Sequence, residues 1–278
     1  MIAKLTLICA SLTIIVLALP GQSFAAVDLE SCMGAWIFDD DSGDVVEDIS
    51  GNENHGALKG GVKVINEGKF GQALDCDGVD DYADCGDNDT LEVGIENFSV
   101  MAWMKCAKYD PGEWESQILY KFDHAAPRHG YLLAVRGNLD AANMGKPVFI
   151  LGLGQDAGHH LFGTSTINDD VWHHLAVTVD RSASMILYRD GEVESQTNIA
   201  ASADQNEDTS IAFNIGSQSD ALARSLMALI DEVAVFRGAL SQDDVKLIMN
   251  NGLKDVLSGV AVSPAGKLAS AWGKLKQR

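Results

Sequence analysis

Basic residues are scarce in this 278-residue chain, with 20 Lys and Arg against 40 Asp and Glu and a net charge of −20 at neutral pH. Such a chain repels phosphate backbones and anionic headgroups, which argues against nucleic acid and acidic membrane surfaces as partners. Cations, neutral ligands and other proteins stay open. No Cys-x-x-Cys, His-Glu-x-x-His or Gly-x-Ser-x-Gly string occurs, so a zinc knuckle, a zinc hydrolase and a serine nucleophile all lack their motifs. Helical periodicity is nearly absent before residue 240. The one extended apolar run, Leu5 to Leu19, is shorter than the roughly 20 residues that span a bilayer, so no integral membrane anchor is expected.

That run has the form of an export signal. Lys4 precedes it, Pro20-Gly21 breaks it, and Ser23-Phe24-Ala25 offers small residues for cleavage after Ala25. Residues 1–25 are therefore expected to be a secretory signal peptide, and the mature protein to be secreted: extracellular, periplasmic or at the cell surface. Cys9 leaves with the signal. Four cysteines remain, Cys32, Cys76, Cys85 and Cys106, an even number in an oxidising compartment.

With 46% hydrophobic and 22% charged residues over its full length the chain can bury a core. Short β-rich runs separated by Gly, Asp and Asn recur along it: 34–38, 73–77, 82–85, 98–106, 117–122, 131–136, 148–151, 172–179, 184–188, 192–198, 211–215 and 227–236. A continuous series of this kind predicts an all-β, two-sheet antiparallel sandwich over 26–252. The sharpest local signal is Asp190-Gly191, whose positive φ angles suit a tight hairpin turn. His174 to Val179 places its larger apolar side chains at alternate positions, and the strands around that turn form a meander. Ser241 and Asp244 outline a capping box for a short helix that carries Val245, Ile248 and Met249 and stops at Asn250-Asn251-Gly252. Residues 253–278 read as a basic tail, with Leu268, Trp272 and Leu275 spaced for a short amphipathic helix that docks on the acidic body or touches a membrane.

Several segments, taken in order, resemble the laminin-G-like branch of the concanavalin A-like lectin/glucanase superfamily. They are Gly34-Ala35-Trp36-Ile37-Phe38-Asp39 with Asp48-Ile49-Ser50-Gly51-Asn52, then Gly68-Lys69-Phe70-Gly71-Gln72-Ala73-Leu74 leading to Asp77-Gly78-Val79-Asp80-Asp81-Tyr82. Phe98 to Met104, Trp172 to Thr178 with Tyr188 to Gly191, and Ile230-Asp231-Glu232-Val233 through Ser241 complete the match over about residues 33–252. The resemblance implies a jelly roll whose first and last strands are neighbours, used outside the cell to bind glycans or proteins.

Glycoside hydrolases on this scaffold carry carboxylates at alternate positions of one strand, and no Glu-x-Asp-x-x-Glu is present. Glu113 and Glu115 lie two apart but follow Pro111-Gly112, which reads as a loop. Asp231 and Glu232 are adjacent and would point to opposite faces of a regular strand. His159-His160 and His173-His174 fail as metal pairs for the same reason. The chain is therefore expected not to be an enzyme. A sugar site wants an exposed aromatic beside polar groups, and Tyr109 and Trp114, with His124 and Arg128 in a second loop, form the candidate ligand-binding rim; packing of Trp114 onto the sandwich edge is the competing reading. A glycan or an extracellular protein is the expected partner. A hydrolase on the same scaffold and a self-associating envelope protein are the alternatives.

No cofactor is required by these motifs. Calcium is the possible ion, because acidic loops supply its oxygen ligands. If the first and last strands are neighbours, Asp48, Asn52 and Asp231 are the candidate ligands; Asp48 and Asn52 suit turn-forming hydrogen bonds equally well. Cys76 and Cys85 fit one face of a single hairpin, which permits a disulfide and would leave Cys32 with Cys106, whereas buried free thiols serve the same positions as small apolar groups.

Overall fold

A computed structural model of the protein describes residues 27–39, 43–107, 113–155, 158–218 and 224–259. The expected signal peptide, Tyr109 and the amphipathic stretch at 267–275 lie outside these residues. Two antiparallel sheets of eight strands each form a jelly roll. The first sheet runs β14 (Glu192–Asn198), β13 (Ser184–Arg189), β12 (Trp172–Val179), β7 (Phe98–Lys105), β16 (Met227–Arg237), β5 (Ala73–Asp77) and β4 (Lys63–Ile65), with β1 (Cys32–Trp36) also paired to β16. The second runs β11 (His159–Phe162), β10 (Pro147–Gln155), β9 (Arg128–Arg136), β8 (Glu115–Asp123), β15 (Asn214–Ile215), β6 (Tyr82–Asp84), β3 (Gly56–Lys59) and β2 (Val45–Val46).

Alternation along the strands sorts their side chains between faces. Trp36, Leu74, Val100, Leu133 and Phe149 meet in the core between the sheets, where Trp36 stacks on Phe213 with centroids 4.9 Å apart. The intervening residues of the first sheet, among them Ala35, Met101, Ala176 and Ala234, are covered by α1 (Gln242–Asn251) and α2 (Leu253–Leu257). Ser241 and Asp244 form the capping box that starts α1. Asp190 at φ 53° and Gly191 at φ 78° make the hairpin between β13 and β14. The neighbouring first and last strands are β1 and β16, in the register Ala35 to Ala234.

Three expectations differ from the structure. Cys76 and Cys85 do not share a hairpin, because β5 belongs to the first sheet and β6 to the second, so 78–81 is an arch that crosses the core. Cys32, Cys76, Cys85 and Cys106 are instead buried free thiols. Each inner thiol fills a space left by glycine: a Cβ on Gly216 would lie 2.7 Å from the Cys76 sulfur, and one on Gly56 3.0 Å from that of Cys85. Asp231 and Glu232 do not point to opposite faces either. A bulge between Asp231 and Ala234, with Glu232 at φ 53°, turns both carboxylates to the outer side of the first sheet. Finally, the packed body continues past residue 252, since Leu253 and Val256 are buried with α1.

Candidate functional site

The outer face of the second sheet is closed as well, with Tyr120, Phe122, Leu132, Ala134, Val148 and Ile150 all buried. Its composition follows from register. Gln117 on β8 pairs with Ala134, which pairs with Val148 and then Phe162; Asn214 on β15 pairs with Tyr120, followed by Leu132, Ile150 and His160. The face is therefore divided. Leu132, Ala134, Val148, Ile150 and Phe162 with Tyr120 and Phe122 make an apolar half, while the carboxamides of Gln117 and Asn214 lie beside it.

Both amide side chains are fully buried, and neither the oxygen nor the nitrogen of either one has a hydrogen-bond partner. An unsatisfied buried polar group costs about 1–3 kcal/mol, so two orphaned amides on one face are unusual unless something else supplies their bonds.

One end of this face is built on Glu115. Arg136 Nη1 donates to Glu115 Oε2 at 2.5 Å, and Arg224 Nη1 donates to Glu115 Oε1. Arg136 Nε also donates to Asp140 Oδ2 at 3.1 Å. The Arg136 guanidinium lies 5.1 Å from the Trp114 ring centroid and 5.5 Å from that of Phe162, a cation held between two aromatic faces. Trp114 is 47% exposed. Beside Glu115, His124 folds back over Phe122 and Tyr120, with centroids 5.0 and 6.0 Å away, and its Nε2 is 3.4 Å from Arg224 Nη1. Arg224 thus joins the Trp114 loop to the His124 loop across β8. Arg128 opens β9 on the same side of the molecule.

Sequence reasoning missed Arg136, Arg224, Gln117 and Asn214. Arg224 is remote in sequence from everything it touches.

The candidate calcium ligands are engaged elsewhere. Asp48 Oδ1 accepts from the amides of Ala35 and Ser50, both at 2.9 Å, and Oδ2 from the Asn54 amide at 3.0 Å. Asn52 Nδ2 donates to the carbonyls of Cys32 at 2.9 Å and Met33 at 3.1 Å. Asp231 accepts from the Phe70 amide at 2.9 Å and its neighbour Glu232 from the Leu253 amide. Asp48 and Asn52 share Ser50 as a partner, and neither shares one with Asp231. Among the described residues the nearest approach to a hard-cation site is the arch, where carboxylate oxygens of Asp77, Asp80 and Asp81 lie within 4.8 Å of one another. Burial raises the Asp81 carboxyl above its usual range, and the neighbouring acids add to the rise.

Asp231 and Glu232 are the most perturbed acids with stated values, pushed by burial to about 8 and about 7. Perturbed carboxyls often mark active sites, but this pair is sealed beneath the first-sheet outer layer and each accepts a backbone amide. It fastens the 68–72 loop and α2 to β16.

The family model for the concanavalin A-like lectin/glucanases superfamily, laminin-G type, matches residues 77–246. The chain belongs to this superfamily. No curated protein sequence matches it. The binding domain of Paraclostridial Mosquitocidal Protein 1 superimposes with a TM-score of 0.64 at 15% identity, over 80% of this chain and 52% of that one. The receptor binding domain of botulinum neurotoxin C/D mosaic serotype does so at 0.63 and 17%, over 81% and 52%. The botulinum neurotoxin serotype D ligand binding domain, solved with N-acetylneuraminic acid, gives 0.60 and 18%, over 81% and 52%. This laminin-G-like chain spans about half the length of those structures, and at such identities the likeness is one of fold. Among the described residues no helix is long and apolar enough to cross a membrane.

Proposed function

We propose that this laminin-G-like domain is an exported, non-catalytic binding module that recognises a glycan at the rim formed by the Trp114 and His124 loops. The observation that carries the reading is Trp114, 47% exposed and held against the Arg136 guanidinium, with Arg224 joining it to His124. A sugar ring stacks its C–H face on an exposed aromatic ring while its hydroxyls meet the polar groups beside it. Both oxygens of Glu115 hold guanidinium groups and the Asp231–Glu232 pair is sealed, which supports binding without bond cleavage. Export is supported by the apolar leader. Calcium enters the proposal only at the Asp77–Asp81 arch. That a similarly folded neurotoxin domain was solved with a sialic acid is in keeping with a sugar ligand, but half of that domain lies beyond the match.

Retention on immobilised polysaccharides tests the reading, comparing the mature protein with the variant Trp114→Ala. Loss of retention in a variant that melts close to the parent temperature is expected. Equal retention by both proteins would place the site elsewhere, and capture by protein ligands alone would make the partner a cell-surface protein.

A further inference from the structure

The jelly roll has an open side. β4 is the last strand of the first sheet and β2 the last of the second, and a cleft of about 330 Å³ lies at these two edges. Leu58, Val62, Val64 and Ile65 line it with apolar surface, and Leu58 and Val64 rest directly on the core. Backbone hydrogen bonds frame it, from the Leu58 amide to the Asp44 carbonyl at 2.9 Å and from the Val62 amide to the Lys59 carbonyl at 3.3 Å. Such a volume stands at the lower end of the range for small-ligand pockets, which is room for one large side chain. Acids prevail around it. Asp44 lines the cleft opposite Lys63, and Glu67 follows Ile65 by two residues. Asp39 stands at the same end, because its Oδ1 accepts from the Gln72 amide at 2.9 Å and the next residue, Ala73, pairs with Ile65.

α2 brings the chain to this end of the cleft. Lys254 Nζ lies 4.0 Å from Asp39 Oδ2, and Gly259, the last described residue, is five residues further on, about 8 Å at the rise of a helix. Residues 260–278 then carry four bases, Lys267, Lys274, Lys276 and Arg278, and no acid, with Leu268, Trp272 and Leu275 at the spacing of one helical face. The thirteen residues from Gly259 to Trp272 reach about 20 Å as helix and about 43 Å extended, enough to return to the cleft. We propose that residues 260–278 fold back across the open side of the sandwich, with Trp272 seated in the cleft and the bases of the segment paired with Asp39, Asp44 and Glu67. Trp272 is the largest apolar side chain of the segment, and a tryptophan buries about 150–250 Å². Docked there, the segment covers the edges of both sheets, which would otherwise invite pairing with another chain. None of these residues belongs to the Trp114 rim, so the inference stands independently of the glycan reading.

The test compares the whole mature chain with its Trp272→Ala variant. Zero-length carbodiimide crosslinking, read by mass spectrometry at monomer mass, should join Lys267, Lys274 or Lys276 to Asp44 or Glu67, and the yield should fall in about 0.5 M salt, which screens the pairs. Hydrogen exchange at the Leu58 and Val62 amides should run about tenfold faster in Trp272→Ala, the factor that loss of one large buried side chain supplies. Asp44→Lys should lower the yield of the join to Glu67, as charge pairing requires. Equal exchange in parent and Trp272→Ala, or joins that are absent or confined to other acids, overturns the inference. Joins found in crosslinked dimers alone would place the segment on a second copy, and flotation on phosphatidylglycerol vesicles with the cleft amides exchanging alike in both proteins would place it on a membrane; either result also overturns docking within one chain.

Discussion

The Lys121 ammonium lies 2.7 Å from Glu92 Oε1 inside the protein. Asp87 Oδ1 at 2.9 Å, the Ile211 carbonyl at 2.9 Å and the Thr209 carbonyl at 3.3 Å complete an all-oxygen cage around it. Lys121 is on β8 opposite Tyr131, so it points away from the divided face and pins the 199–213 crossover that delivers Asn214 to that face. A tethered cation thus does here what a metal ion does in other acidic loops.

Lys121→Met should therefore destabilise strongly. Lys121 is buried while Glu92 and Asp87 are 20% and 44% exposed, so the cost is the lost charge-assisted hydrogen bonding, about 1.5–3 kcal/mol. Urea unfolding measures it, and a loss below about 1 kcal/mol would mean that the cage is not intact in solution.

The Asp231–Glu232 pair makes stability depend on pH in an unusual direction. Unfolded, these carboxyls ionise near pH 4; folded, burial holds them protonated to about 8 and about 7. Between those limits the native state binds more protons than the unfolded one, so the stabilisation is complete below about pH 4 and is lost as pH rises through 7 and 8. The double variant Asp231→Asn, Glu232→Gln should show a flatter unfolding free energy from pH 5 to 8 than the parent. The difference between the two proteins isolates the pair from the histidines, of which His174, lowered by burial to about 4, works in the opposite sense. Parallel pH profiles would show that the two acids are ionised in the native protein.

Millimolar calcium should raise the thermal midpoint through the Asp77–Asp81 arch, and Asp80→Asn should remove the effect while Asp48→Asn does not. An ion at a hundredfold excess over its Kd adds about 2.7 kcal/mol. A midpoint that is identical in calcium and in chelator would dispose of the ion.

All four described cysteines should resist thiol reagents until the protein is unfolded. Burial pushes the Cys32 thiol up to about 12 and that of Cys106 up to about 11, so almost no thiolate is present at neutral pH. Four equivalents reacting in denaturant and none without it is the expected count for the mature chain; fewer in denaturant would mean that a bridge has formed.

The alternation of apolar residues in β7, β12 and β16, the Asp190-Gly191 turn and the Ser241 capping box depend on neighbours a few residues away, and such local preferences are legible in one dimension. For the same reason β2, β3 and β4, two to four residues long and rich in loop-like neighbours, carry too little periodicity to be recognised. Which sheet a strand joins is not a local property. Cys76 and Cys85 look like hairpin partners until β5 and β6 are assigned to opposite sheets, and the bulge at Asp231 overrides the parity that should have separated it from Glu232. The site divides likewise. Trp114, His124 and Arg128 stand out as residue types in loops, whereas Arg224 meeting Glu115, Arg136 backing Trp114, and Asn214 lying beside Gln117 need strands distant in sequence to be laid side by side. Local composition decided which segments become strands; long-range pairing decided that Arg136 and Arg224 hold the Trp114 loop beside His124, and it is that rim that carries the function proposed for this domain.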